Sequence, residues 1–540
     1  MSEADELKEA VEKVLRSTSR KKLVVAGPGA GKTTLFQKLL ESTGGTSDER
    51  LVLTFINNLK ADLDRSLGGL AQVNTLHGYC LSILYSSADL REGLTSAFVC
   101  YPGLVSLIKQ DREWLLGGQS PTFVDHFRDL SLPEESEAFY RERAAFYDAV
   151  DFDDTVYRVY RGLENHPDVI PEYKLILIDE FQDFNKMEAG VIELLSTRSP
   201  ITIAGDDDQA LYSQLRGADW AHIRKHHGGG AYEVFELPFC MRCPQVIVNA
   251  INDIVAAAQN LKKLQGRIPK PFRYFEPVKG DDSRRFPKID LVRTTVQRNN
   301  ANYFGRYVEE QFRAISADEL RSAVEKHEPA ALIIGSKQYL SPIEAHLVEC
   351  GLLVVPPDEG ISNRQKALEI LANETESNLG WRIILSESRA NVARPIIQAA
   401  YKNKTKLVEE IGGEMRDAVL KEAGEFVAIR ATEAEAKGEQ DTAVETPAIK
   451  LTSFEGSKGL SAQYVFLAGV HEGELPRKTE PQDIEICKFL VGLTRTKKKC
   501  SILITKNFAG QFKQPSLFLK WIKGDRFNVI DVNADYWKKA

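Results

Sequence analysis

The sequence has no apolar run near the roughly 20 residues a helical membrane span needs, which excludes an ordinary spanning segment. Cysteine is scarce too: seven in 540 residues are too few for a disulfide scaffold and agree with a reducing compartment. Only Cys240 and Cys243 have C-x-x-C spacing, and no second Cys or His pair follows at zinc-finger distance, so two small buried thiols at the start of a helix are expected there. The amino-terminal MSEADELKEAVEKVL is acidic and amphipathic and lacks the apolar core of a secretory signal, so a cytoplasmic protein is expected. There is no excess of positive charge. A net charge of −7 and a pI near 5.9 exclude a surface that grips nucleic acid everywhere, but leave room for a local basic groove. No internal repeat has a solenoid period, and no nuclease constellation is visible.

The composition that remains, 43% hydrophobic and 27% charged, is that of a globular chain, and 540 residues imply two to four domains sharing two main cores. Four short apolar runs have the continuous character of buried parallel strands: Leu23 to Ala26, Leu51 to Phe55, Leu175 to Ile178 and Ile201 to Ala204. They end respectively in GPGAGKTT, INN, DEFQD and GDDDQ. Open parallel sheets bind ligands at the carboxyl ends of their strands, so these clusters are expected to converge on one crevice. A second set of runs, Ala331 to Ile334, Ile449 to Thr452, Tyr464 to Ala468 and Ser501 to Thr505, predicts a second α/β core built from two separated segments. Two insertions are expected, a largely helical one from about Tyr85 to Val150 and another from about Ile383 to Pro447. The second ends in the acidic ATEAEAKGEQDTAVETP, which reads as a linker.

The run from Ala26 to Thr34 carries the chemistry. Gly27, Pro28, Gly29, Ala30 and Gly31 precede Lys32 and Thr33, with Ala26 where a strict phosphate loop has its first glycine. Small residues let backbone N–H groups surround phosphate oxygens, and the helix that follows adds a positive N-terminal dipole. Lys32 is expected to reach the β and γ phosphates and Thr33 to ligate Mg²⁺. Asp179, at the tip of the LILI strand, suits the same Mg²⁺, and Glu180 suits the orientation and deprotonation of water. Gln209 suits sensing of the γ-phosphate. Arg242 in LPFCMRCPQ and Arg495 in VGLTRTKK are candidates for the positive charge that phosphoryl transfer needs, supplied from the second core across a cleft.

Taken in order, these motifs resemble the UvrD/Rep/PcrA-type superfamily 1 helicases. AGPGAGKT resembles motif I, LTFINNLKADL motif Ia, VNTLHGYCLSIL motif Ib, ILIDEFQD motif II and AGDDDQALYSQLRGA motif III. LPFCMRCPQVI resembles motif IV, LTSFEGSKGLSAQYVFLAGVHEGELP motif V and FLVGLTRTKKK motif VI. The resemblance implies an α/β fold of two RecA-like parallel-sheet P-loop domains with mainly helical inserted subdomains, closing on ATP and Mg²⁺ to walk 3′ to 5′ on single-stranded DNA. It implies residues 1–84 and 151–234 for the first RecA-like domain around a helical 1B insertion at 85–150. It likewise implies 235–382 and 448–540 for the second, around a reduced 2B-like insertion at 383–447. Thr54, Phe55, Asn57, Thr75, His77, Tyr212 and Arg216 are its implied DNA contacts, with aromatic rings stacking on bases irrespective of sequence. Met241 and Gly459 are its further nucleotide contacts.

The chain departs from the family pattern at several points. No glutamine stands in the amino-terminal segment where the family reads adenine, and Met241 replaces an aromatic residue. Gln214 and Leu215 stand where a base-stacking tryptophan is usual, Glu455 replaces a histidine and Ser461 an acidic residue. These changes touch strand separation more than hydrolysis. Two readings follow: a helicase or translocase acting on single-stranded and 3′-tailed DNA in repair or anti-phage defence, or a DNA-stimulated ATPase subunit beside a nuclease or another defence or repair protein. A nucleotide-gated binding module without turnover is a third, against which the water-activating pair Glu180 and Gln209 argues.

Overall fold

A strand covered on both faces cannot alternate polar with apolar residues, so it reads as a continuous hydrophobic run. In the computed structural model, which describes residues 2–212, 216–294, 303–355, 362–438, 447–533 and 535–539, those runs are parallel strands. The first sheet has six: β1 (Lys21–Ala26), β2 (Arg50–Thr54), β3 (Gln72–Thr75), β4 (Leu175–Ile178), β5 (Ile201–Gly205) and β6 (Glu233–Leu237). Their spatial order is β3-β2-β4-β5-β1-β6, every pairing parallel. The second sheet has seven: β7 (Ile289–Thr294), β8 (Ala331–Gly335), β9 (Val354–Val355), β10 (Ile449–Thr452), β11 (Ala462–Ala468), β12 (Thr496–Thr505) and β13 (Phe527–Val532). They lie in the order β9-β10-β8-β11-β12-β7-β13, again all parallel. The chain is therefore α/β with two RecA-like sheets, and both strand sets read from the sequence lie in them.

Strands that escaped the sequence reading sit mostly at sheet edges. β3 and β6 flank the first sheet, β9 and β13 the second, and each is partly exposed, so none presents an unbroken apolar run. β7 is interior, but Asp290 and Arg293 interrupt its apolar pattern.

Two helical excursions leave these sheets and meet each other. The first includes the helices Leu104–Leu115 and Glu134–Tyr147, with a two-stranded sheet pairing Val99–Cys100 to Ala149–Val150. The second lies between β9 and β10 and includes the helices Asn363–Asn373, Asn378–Ser386 and Ala390–Asn403. The expected boundary between residues 382 and 383 falls inside Asn378–Ser386, a helix whose Trp381, Arg382 and Ile383 are all fully buried, so the excursion begins earlier than read. Tight burial around Trp381 makes that segment resemble a sheet core in sequence. The helix Gly413–Gly438 runs into the acidic stretch read as a linker, of which residues 439–446 lie outside the described residues.

One carboxylate ties the excursions together. Asp111, fully buried, accepts from Arg143 Nε at 3.0 Å within its own excursion and from Arg382 Nε at 2.9 Å in the other. Arg382 also donates to Gln110 Oε1 at 2.7 Å, and Asn378 Nδ2 donates to the Phe146 carbonyl at 2.9 Å. Buried charges are tolerated only when paired, so removing the shared partner strands two guanidinium groups away from water. Asp111→Ala is expected to lower stability by about 3–5 kcal/mol, by the usual cost of breaking a buried pair. Chemical denaturation measures it; a loss under about 1 kcal/mol, the worth of a surface pair, would contradict the arrangement.

Candidate functional site

Parallel strands bring every carboxyl end to the same edge, and in the first sheet that edge carries the phosphate-type loop after β1, the acids after β4 and Asp206 to Gln209 after β5. The loop needs glycine at two places. Gly29 (φ +68°) and Gly31 (φ +87°) are left-handed, and a Cβ would lie 2.4 Å from Arg242 Cβ at the first and 2.3 Å from Met241 Cε at the second. The segment carrying Met241 and Arg242 thus packs directly on the loop, with Met241 N donating to the Gly29 carbonyl at 2.9 Å. Lys32 and Thr33 open the helix Lys32–Ser42, and exposed Thr34 follows them.

Lys32 Nζ lies 2.5 Å from Glu180 Oε1 and 3.6 Å from Asp179 Oδ1. Glu180 occupies the left-handed region at φ +55°, an unusual backbone for its type and one that clusters at functional sites. A second lysine, Lys458, arrives from the other domain: Nζ pairs with Asp183, sits 3.4 Å from Glu180 Oε2 and donates to the Gln209 carbonyl at 2.6 Å. Gln182 links these groups, its Nε2 donating to Glu180 Oε2 at 2.6 Å and its Oε1 accepting from Asp206 N at 2.9 Å. Gln209 Nε2 donates to Asp206 Oδ2 at 2.9 Å, and its Oε1 accepts from Arg495 Nη2 at 3.3 Å.

These contacts set the charges. Burial alone would raise the Glu180 carboxyl, but Lys32 and Lys458 outweigh it and hold it far below the ordinary range. Burial would likewise depress Lys32, yet Glu180 and Asp179 keep it well above an ordinary lysine. Burial pushes Asp183 up to about 6 even with Lys458 beside it. Burial first, then the neighbouring Arg242 guanidinium, pull Arg495 down to about 9.

A cavity of about 750 Å³ lies over the loop, and both domains line it: Gly29 to Thr33, Asp179 and Glu180 from the first, Met241, Arg242, Gly459 and Lys497 from the second. Arg242 Nη1 also donates to the Thr494 carbonyl at 3.4 Å. Arg495 immediately precedes β12 and Lys458 and Gly459 precede β11, so the second sheet meets the cleft with the amino-terminal ends of its strands. Ala26, Gly27 and Pro28 are buried and do not line this cavity. The residues fit a divalent cation: Asp179 Oδ1 is buried without a hydrogen-bond partner, and Thr33 lines the same cavity.

The remaining predicted residues gather at the ends of β2 and β3, where Thr54 pairs in register with Thr75. Phe55 is 3% exposed, its ring covered by Tyr212 at 5.1 Å and Phe184 at 5.7 Å, with the Arg216 guanidinium 5.1 Å from its centroid. Thr75 accepts from Gly78 N and caps the helix Leu76–Ser86. His77 and Arg216 line a 230 Å³ cavity with Glu188, whose Oε1 is 3.6 Å from His77 Nε2, and burial pulls the imidazole down to about 4. Tyr212 donates its hydroxyl to the Glu455 carbonyl at 3.2 Å. The Asn57 side chain, and Gln214 and Leu215, lie outside the described residues.

Sequence reasoning missed Lys458, Gln182 and Asp183. Gln182 and Asp183 stand inside the quoted DEFQD, and Lys458 adjoins Gly459, but no spacing rule says which acid a lysine 275 positions away will meet. It missed Lys270 too, whose Nζ sits 2.7 Å from Asp206 and Asp207 and 2.9 Å from Asp208, neutralising an acidic run that otherwise looks like a cation site.

The UvrD/REP helicase N-terminal domain profile matches residues 7–113 and 132–228, which contain the loop, the acids and Gln209. The chain is 23% identical over 381 residues to the ATP-dependent DNA helicase PcrA of Staphylococcus aureus, covering 60% of this chain and 50% of that protein. It is 25% identical over 284 residues to PcrA of Staphylococcus epidermidis, covering 45% of this chain and 38% of that protein. It thus spans about half the length of the curated relatives it matches. Residues 7–113 and 132–228 thus carry the UvrD/REP helicase N-terminal domain, and the motif order set on two parallel sheets that face one cleft is similar to that of the UvrD/Rep/PcrA-type superfamily 1 helicases.

Proposed function

We propose that the chain is an ATP-driven motor that translocates 3′ to 5′ on single-stranded DNA and opens 3′-tailed duplexes, in a cytoplasmic repair or anti-phage setting. The observation that carries this reading is the meeting of Lys32 from one domain with Lys458 from the other on a single carboxylate, Glu180. In this arrangement Lys32 neutralises Glu180. An incoming triphosphate competes for Lys32, and Glu180 is then free to orient the attacking water and accept its proton. Gln209 positions the same water, while Arg242 and Arg495 face the charge that develops on the transferring group. Thr33 and Asp179 would hold Mg²⁺, which when bound neutralises phosphate oxygens. Ala26 to Thr34, with Met241 and Gly459, form the nucleotide's surroundings. Cleavage splits the phosphate chain, and departure of the freed phosphate removes charge that both domains grip, so the cleft loosens and the domains move.

In this reading the first helical excursion is the 1B subdomain and the second a reduced 2B. Thr54, Phe55, Asn57, Thr75, His77, Tyr212 and Arg216 form the DNA track. A second reading, a DNA-stimulated ATPase subunit that unwinds weakly without a nuclease or other partner, is favoured by the covered ring of Phe55. Glu455 favours it too, being held 2.6 Å from Lys488 where the family has a histidine.

Single-stranded DNA should raise ATP turnover many-fold and Lys32→Ala should abolish it; equal rates with and without DNA would sink both readings. On tailed duplexes without other proteins, the first reading expects unwinding from 3′ tails and none from 5′ tails. Robust activity from 5′ tails would reverse the proposed polarity. Lys458→Met should cut turnover by roughly 10²-fold, as loss of a preorganised charge does, with nucleotide affinity little changed. Turnover within about twofold of the parent would remove Lys458 from the mechanism.

A further inference from the structure

Outside the lining of the cleft cavity, the helices Tyr303–Arg313 and Lys337–Glu349 bring a carboxylate, an imidazole and a thiol together. His346 and Cys350 are four residues apart, so both project from one side of the second helix and its end, toward Glu309 on the first. Glu309 Oε2 lies 2.9 Å from His346 Nε2 and 3.2 Å from Cys350 Sγ, and Sγ and Nε2 are 3.6 Å apart. Three donors from three residues therefore surround one point.

Zinc bonds of about 2.0–2.3 Å place tetrahedral donors about 3.4–3.6 Å from one another. The thiol and imidazole already have that spacing, and the carboxylate reaches it by withdrawing about 0.5 Å. Thiolate and carboxylate together carry the charge that neutralises a divalent ion, and sulfur with imidazole selects Zn²⁺ over Mg²⁺ or Ca²⁺. Arg313 steadies the ligands from behind: Nε donates to Glu309 Oε1 at 2.9 Å and Nη2 to the Cys350 carbonyl at 3.1 Å. Side chains 21% and 17% exposed at Glu309 and His346 leave an entry path and a fourth position for water.

We propose that Glu309, His346 and Cys350 form a three-ligand Zn²⁺ site that staples these two helices just before β9, where the chain leaves for the second excursion. Without metal the trio is a hydrogen-bonded cluster, and metal binding replaces the thiol and imidazole protons shared with Glu309 by bonds to the ion.

The full chain, stripped with chelator and titrated with Co²⁺ alone, tests this. One equivalent should bind with a thiolate-to-cobalt charge-transfer band that Zn²⁺ abolishes. The band should vanish in Cys350→Ser and persist in Cys240→Ser, which separates this site from the buried thiols beside Met241. Glu309→Gln, which keeps the side chain's volume, should weaken binding by at least about tenfold. Zn²⁺ should raise the Tm of the parent and not of Cys350→Ser. A parent without the thiolate band, or a band surviving in Cys350→Ser, would overturn the proposal. Should Cys350→Ser fail to fold, Glu309→Gln decides: unchanged Co²⁺ affinity counts against the site.

Discussion

A buried carboxylate needs compensating charge, and Glu180 takes it from both domains at once. Lys32 approaches one oxygen and Lys458 the other, while Gln182 donates to the second. Desolvation makes such a cluster expensive unless every member is paired, so the relative position of the two domains becomes a condition for the site's charge balance. Asp183 extends the condition, being fully buried with Lys458 as its ion-pair partner. Anything that alters charge at Lys32, as a bound triphosphate would, alters the balance across the cleft.

The topology makes this junction available. Parallel strands give the first sheet a single polar edge, and the loop, acids and glutamine are displayed on it by three separate strand ends. The second sheet approaches with its opposite edge, where Lys458 and Arg495 precede the central strands β11 and β12. Its carboxyl edge is left for a separate cavity of about 350 Å³ lined by Ser336, Ser453, Glu455 and Lys488. Away from the sheets, the Asp111 cluster joins the two helical excursions through buried ion pairs and hydrogen bonds.

Much of this was legible in the sequence because burial on both faces leaves an unmistakable trace. The central strands and the residues at their tips could be read directly, down to Lys32, Asp179 and Glu180. Edge strands such as β3 and β6 lack that trace because water covers part of each. The segment around Trp381 misled for the opposite reason, since residues 379–385 are all buried and leave little polar surface to separate this helix from a sheet core. Lys458 was illegible because its partners are fixed only when the domains meet. Phe55 illustrates a further limit: the motif marks it as a base-stacking ring, while the fold encloses it between Phe184, Tyr212 and Arg216.

The most direct test is single-turnover cleavage of ATP by Arg495→Ala, measured beside equilibrium nucleotide binding. If charge from the second domain is what allows cleavage, the rate falls by about 10³-fold or more while affinity changes only a few-fold. Cleavage at the parent rate would contradict the account, because the nucleotide would then be hydrolysed without the second domain's arginine.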